Sequence, residues 1–258
     1  MRSKDAVEHR IQRLTGRAIG DFGLIENRDR ILVALSGGKD SWTLLHILDS
    51  LRQRAPITFS LIAVTVHAGF PNFQTDLLTN HLSTRGLEHL VVKVPIYRLM
   101  LDKLTPGEMP CPLCSRIRRG ALYTKARELE CSKIALGHHR EDFVETLILN
   151  LFYNGKIKAM SPILKADDGV NTVIRPLVYV PEGDIIQFAA TARFPVIHCA
   201  CPACGEQNMK RVKIKQLLMD LEKEHPGIKA NLLAALANVE ERHLLARSVN
   251  KIFMCEDG

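Results

Sequence analysis

Apolar positions along the chain follow two alternating rhythms. Short apolar runs of strand length, beginning with Ile31 to Leu35, are each followed by a stretch in which apolar residues return every three or four positions. The runs "ITFSLIAVTVHAG", "EHLVVKVPI", "KIALGHH" and "TVIRPLVYV" predict four more strands. Between and after them, the spacing predicts helices from about Ser41 to Arg54 and within "FPNFQTDLLTNHLSTRGL", "LCSRIRRGALYTKARELE", "EDFVETLILNLFYN" and "EGDIIQFAATAR". An amphipathic helix over residues 5–20 precedes the first strand, with Val7, Ile11, Leu14 and Ala18 on one face. Strands alternating with helices predict an α/β fold, a parallel sheet covered by helices on both faces. From Met209 to Arg247 the pattern is helical only. The expected division is an N-terminal helical segment (1–28), the α/β domain (29–200) and a C-terminal cysteine motif with a helical extension (201–258).

Chemistry gathers where such a sheet binds ligands, at the carboxyl ends of its strands. "SGGKDS" follows the first strand and opens a helix. Gly37 and Gly38 let the backbone approach an anion, Ser36 and Ser41 add hydroxyls, and Lys39 adds a full positive charge. A tight strand-to-helix turn would also use glycines, but it has no need of the lysine, aspartate and serines around them. "GHHREDFVET" follows the fourth strand, with His138, His139, Asp142, Glu145 and Thr146. Asp142 and Glu145 lie three apart, on one side of a helix, and acidic groups at a nucleotide crevice commonly handle magnesium. An acidic first helical turn favoured by the helix dipole is the simpler alternative.

Composition adds two facts. The 258 residues carry a net charge of +7, which suits an anionic partner such as RNA. "CSRIRRG" groups Arg116, Arg118 and Arg119, and "KRVKIKQ" groups Lys210, Arg211, Lys213 and Lys215, as phosphate contacts or as solvated helix faces. No apolar run reaches the roughly 18 residues of a membrane span, and the first residues lack a signal-peptide core, so a cytoplasmic protein is expected. Six of the seven cysteines lie between Cys111 and Cys204, four of them in two C-x-x-C pairs. Thiolates in that arrangement bind zinc or an iron–sulfur cluster. Compact zinc modules place their pairs about 15–20 residues apart, whereas here a strand and a helix intervene.

No Walker A pattern occurs; "SGGKDS" resembles the PP-loop of the N-type ATP pyrophosphatases. "CPLCSRIRRGALYTKARELECSKIALGHHREDFVETLILNLFYNGKIKAMSP", followed in order by "VIRPLVYV", "FPVIHCACPACG" and "HPGIKANLLAALANV", is similar to the tRNA 2-thiocytidine synthetases, the TtcA family, over roughly residues 10 to 245. The resemblance implies that ATP is split between its α and β phosphates to adenylate the 2-oxygen of cytidine 32 in the tRNA anticodon loop, which sulfur then replaces. It implies ATP phosphates on Ser36, Gly37, Gly38, Lys39, Asp40 and Ser41, with Gly137 and His138 completing the nucleotide site. Lys39, Asp40 and Asp142 would be catalytic, with Asp40 or Asp142 partnering magnesium. It implies a [4Fe-4S] cluster on Cys111, Cys114 and one of Cys201 and Cys204, with Cys204 preferred because Gly205 lets backbone amides approach. Partners would be tRNA, ATP and a cysteine desulfurase as sulfur donor, with a homodimer allowed.

Two features depart from the family. After the second strand, "TVHAGFP" has His67 and Ala68 but lacks the usual aspartate, and Cys199 adds a fifth cysteine within reach. A uridine-specific tRNA thiolase, a lysidine synthetase-like ligase and an RNA-binding protein with a structural zinc remain alternatives. The ligase has no use for paired cysteines, and the zinc protein leaves "SGGKDS" and "GHHRED" idle.

Overall fold

The computed structural model describes residues 2–71, 73–103, 111–197 and 209–244. In chain order the elements are α1 (Arg2–Phe22), β1 (Arg30–Ala34), α2 (Lys39–Arg52), β2 (Ser60–His67), α3 (Thr75–Ser83), β3 (His89–Lys93), α4 (Ile96–Lys103) and α5 (Cys111–Glu128). There follow β4 (Lys133–Ala135), α6 (Arg140–Asn154), β5 (Ile163–Lys165), β6 (Thr172–Ile174), α7 (Glu182–Ala192), α8 (Met209–Glu224) and α9 (Ile228–Ala235), and then a single 3₁₀ turn at Glu241–His243.

The six strands form one sheet in the order β3-β2-β1-β4-β6-β5. β3, β2, β1, β4 and β6 run parallel, and β5 pairs antiparallel with β6 at the edge. Alternate residues of β1 and β2 enter opposite cores. Ile31, Val33, Leu61 and Ala63 pack with α1, α2 and α7, while Leu32, Ile62 and Val64 pack with Ala126 and Leu122 of α5. Burial on both faces is why these strands read as continuous apolar runs rather than as alternation. α1 is part of the main core, with Ile11 and Ala18 fully buried against α2 and α7.

From β1 the chain moves outward to β2 and β3, then returns to the other side of β1 as β4. The strand order therefore reverses between β1 and β4, which opens a crevice at their carboxyl ends. Three details differ from the sequence expectation. The fifth predicted strand stops at Ile174, before Pro176, and its partner β5 is an antiparallel addition. α4 follows β3 directly. The C-terminal helical stretch breaks at "HPG", where Gly227 takes φ 97°. Among the described residues no helix is long and apolar enough to cross a membrane.

Candidate active site

The turn after β1 is built for an anion. Gly37 has φ +88°, a region that suits glycine. The Ser36 hydroxyl donates to Ser41 Oγ at 3.1 Å, and the Ser41 hydroxyl reaches the Gly38 carbonyl at 2.9 Å. Gly38 is the N-cap of α2 and has no side chain with which to cap it. The first N–H groups of α2 are thus available to a ligand, and the helix dipole adds positive potential there. Lys39 Nζ lies 2.9 Å from Asp40 Oδ1 and 3.2 Å from Glu182 Oε1. Burial works against its charge, but the two carboxylates outweigh burial and hold its pKa above the ordinary lysine value.

Gly137, at the end of β4, presses on this turn. A Cβ there would sit 3.0 Å from the Asp40 carbonyl carbon and 3.1 Å from the Ser41 nitrogen, both backbone atoms. Gly137→Ala is expected to cost about 1–3 kcal/mol of stability through overpacking and to weaken ATP binding as the turn shifts. Thermal unfolding and nucleotide titration of the variant check both effects.

His138 and His139 behave oppositely. Burial, with Arg175 and Arg211 nearby, pulls His138 down to about 4 despite the Asp142 carboxylate. It is neutral and accepts a bond from Arg175 Nε at 3.3 Å on Nδ1. Burial also disfavours charge on His139, but Glu141, Asp142 and Asp40 raise its pKa. Its Nε2 lies 3.8 Å from Asp40 Oδ1 and 3.5 Å from Asp142 Oδ2. Asp142 Oδ2 also accepts the His139 backbone N–H at 3.0 Å, capping α6.

The second basic run disperses. Arg211 bridges Asp142 Oδ1 at 3.0 Å and Glu145 Oε2 at 2.9 Å. Lys215 pairs with Glu182 at 2.9 Å, and Lys210 lies over the Tyr153 ring at 4.7 Å. Lys213 is exposed. Arg211 and Lys215 are thus turned toward carboxylates of the site.

Sequence reasoning missed Glu141, Arg175 and Glu182. The carboxylate of Glu141 accepts the Glu182 backbone N–H at 2.7 Å and Arg140 Nη2 at 2.8 Å, which joins the starts of α6 and α7. Burial opposes its charge, yet His139, Arg140 and the Glu182 N–H hold its pKa down at about 2 against an ordinary 4.5. A depressed carboxylate stabilises the fold fully above its unfolded pKa and loses that contribution as pH falls through the folded one. Glu141→Gln should therefore lower the thermal midpoint at pH 7. The gap to the unchanged protein should close as pH drops from 4.5 toward 2. A gap independent of pH would contradict this.

A pocket of about 160 Å³ opens beside the turn. Its lining is Ser36 and Gly38 of the turn with Ile197, the apolar Val66, Ala68, Phe70 and Phe73 at and after the end of β2, and Arg118 of α5. Ala68 lines it, and Gly69 follows where the family pattern carries an aspartate. Ile197 is tied to the turn by its N–H to the Gly37 carbonyl at 2.9 Å, and Trp42 Nε1 donates to the Pro195 carbonyl at 3.2 Å.

Cys111 begins α5 and Cys114 lies on its first turn, partly buried beside Ala68, Phe70 and Met100. Cys114 thus sits next to the apolar residues of the pocket. Cys199, Cys201 and Cys204 lie outside the described residues, as does the Cys111 side chain. Cys131 stands apart at the approach to β4, where burial pushes its thiol pKa up. A cysteine pair at the start of this helix is a donor set that an iron–sulfur cluster can use. Among the described residues no three metal-binding side chains are grouped to hold an ion by themselves.

A family model described as a PP-loop domain matches residues 4–221. The chain is 51% identical over 247 residues to the tRNA-cytidine(32) 2-sulfurtransferase of Geobacter metallireducens, covering 96% of this chain and 95% of that one. It is 50% identical over 243 residues to the protein of the same name from Geobacter sulfurreducens, covering 94% and 95%. A solved structure, the U34-tRNA thiolase NcsA from Methanococcus maripaludis with its [4Fe-4S] cluster, is similar in fold at a TM-score of 0.74. It shares 23% identity and aligns over 95% of this chain and 82% of that chain.

Proposed function

Because the chain belongs to the PP-loop family, among the tRNA-cytidine(32) 2-sulfurtransferases, we propose that it replaces the 2-oxygen of cytidine 32 in tRNA with sulfur through an adenylated intermediate. The observation that carries this reading is the convergence of the phosphate turn, Lys39 and Cys114 on one crevice. The carbonyl oxygen is a poor leaving group. It attacks the α-phosphate of ATP, the α–β bond breaks, and pyrophosphate departs. Sulfide then adds at carbon 2 and AMP leaves with the oxygen, so that one ATP is consumed per exchange.

The protein's part is to bind and to neutralise charge. The amides from Ser36 to Ser41 cradle the phosphates, and Lys39 offsets the charge that grows on pyrophosphate as it leaves. Asp40 is the better magnesium partner of the two aspartates, since both oxygens of Asp142 are already engaged by Arg211 and the His139 N–H. Neutral His138 adds no charge of its own to the crevice. Cys111 and Cys114, with Cys201 or Cys204 as the third ligand, would hold a [4Fe-4S] cluster. When bound, the cluster supplies an iron site at which sulfide can be held. A cysteine desulfurase is the expected source of that sulfur, with a thiol reductant releasing its persulfide sulfur as sulfide and leaving as disulfide. Exposed Arg116 and Arg119 on α5 are placed to meet tRNA backbone phosphates.

Nucleoside analysis of tRNA from a strain lacking the gene tests the assignment. 2-Thiocytidine should vanish and return on complementation. Retained 2-thiocytidine, or loss of a thiouridine instead, would overturn it.

A further inference from the structure

Arg118 does not share the surroundings of its neighbours. Arg116 and Arg119 are exposed, whereas Arg118 is half-buried and lines the pocket beside the phosphate turn. Its Nε is buried and has no hydrogen-bond partner. A buried donor left unmet costs about 1–3 kcal/mol, and native folds keep few of them. A ligand that brings an acceptor would remove that cost. Arg118 is also the one charged side chain on the described walls of this pocket.

The walls indicate which acceptor. One is apolar, from Val66, Ala68, Phe70 and Phe73, and suits a flat base. The other carries Ser36 and Gly38 of the phosphate turn. A nucleotide spanning the two puts its innermost phosphate between them. We propose that Arg118 donates to the α-phosphate of ATP, and so acts on the nucleotide instead of on the tRNA backbone. This rests on the sulfurtransferase reading and deepens it.

The position on α5 gives the contact a second consequence. Cys114 and Arg118 are four residues apart and share a face of the helix. A rise of about 1.5 Å per residue separates them by roughly 6 Å along the axis. The proposed phosphate contact and the cluster ligand Cys114 are thereby anchored on one helix, a turn apart.

The test compares Arg118→Gln, Arg118→Lys, the double variant Arg116→Gln/Arg119→Gln, and Lys39→Ala. Labelled ATP is bound without tRNA, pyrophosphate release is followed with tRNA, tRNA affinity is measured at several salt concentrations, and iron is assayed. Arg118→Gln should weaken ATP binding or slow pyrophosphate release by roughly 10- to 100-fold, the loss expected for a charged hydrogen bond. Its tRNA affinity, salt slope and iron content should stay as they were. Arg118→Lys, which keeps the charge but loses the planar fork, should fall between. The double variant should weaken tRNA binding and flatten its salt slope. If Arg118→Gln behaves like the double variant, or alters nothing, the inference is wrong. If Arg118→Gln does not fold, the same comparison on Arg118→Lys decides. An effect of Lys39→Ala without one of Arg118→Gln sinks the Arg118 contact alone; no effect of either sinks the ATP-dependent reading itself.

Discussion

Lys39→Ala should lower pyrophosphate release by on the order of 10³-fold, the scale seen when a charge-stabilising donor is lost from a preorganised site. The structure makes this a clean removal. Lys39 bridges Asp40 and Glu182, but Glu182 keeps its ion pair with Lys215 when Lys39 is gone. Asp40 is partly exposed, so water can solvate its carboxylate. The fold and the iron content should therefore survive, and tRNA should still bind. The loss belongs to the step in which pyrophosphate leaves, so saturating ATP should not restore turnover. Near-normal turnover at saturating ATP would remove the phosphate turn from the mechanism.

Cys114→Ala should abolish thiolation and iron binding together while ATP still binds. Alanine keeps most of the packing against Ala68, Phe70 and Met100, so a folding defect is not the expected cause. Cys111→Ala should do the same, since a three-cysteine site has no spare ligand. Cys131→Ala is the counterpart. Its thiol is pushed toward the protonated form by burial, and its loss should leave iron content unchanged. Iron, sulfide and zinc analysis of anaerobically purified protein separates the outcomes. Normal iron in Cys114→Ala would overturn the cluster assignment. Colourless protein carrying zinc in place of iron would turn these cysteines into a structural site.

How much of this was legible in the sequence depends on burial. β1 and β2 are buried on both faces, so their apolar runs stand out and their carboxyl ends locate the crevice. "SGGKDS" and "GHHRED" were legible because strand ends bring them together. β5 was not: Ile163, Leu164 and Lys165 are all exposed, and pairing at a sheet edge leaves no apolar signature. α4 was hidden because it begins three residues after β3, inside what reads as one apolar run. Charge was the least informative signal. "KRVKIKQ" shows four cations but not their directions, and α8 turns Arg211 and Lys215 to carboxylates on α6 and α7. Arg118 looked like its neighbours until the helix gave each arginine a face. Glu182 carries no motif and is found only through Lys39.

The ties from Ile197 to Gly37 and from Trp42 to Pro195 have a bearing on how this chain can vary. They pin the path leaving α7 to the phosphate turn, four residues before Cys201 in sequence. On the proposed cluster assignment, the number of residues from this anchor to Cys201 becomes a dimension of the catalyst, as a gauge block is of a jig. The β5–β6 hairpin, at the far edge of the sheet, has no such duty. A residue inserted at its Asp168–Gly169 bend should go almost unnoticed by the chemistry. One inserted between Ile197 and Cys201 should not, even in a protein that folds and melts as before.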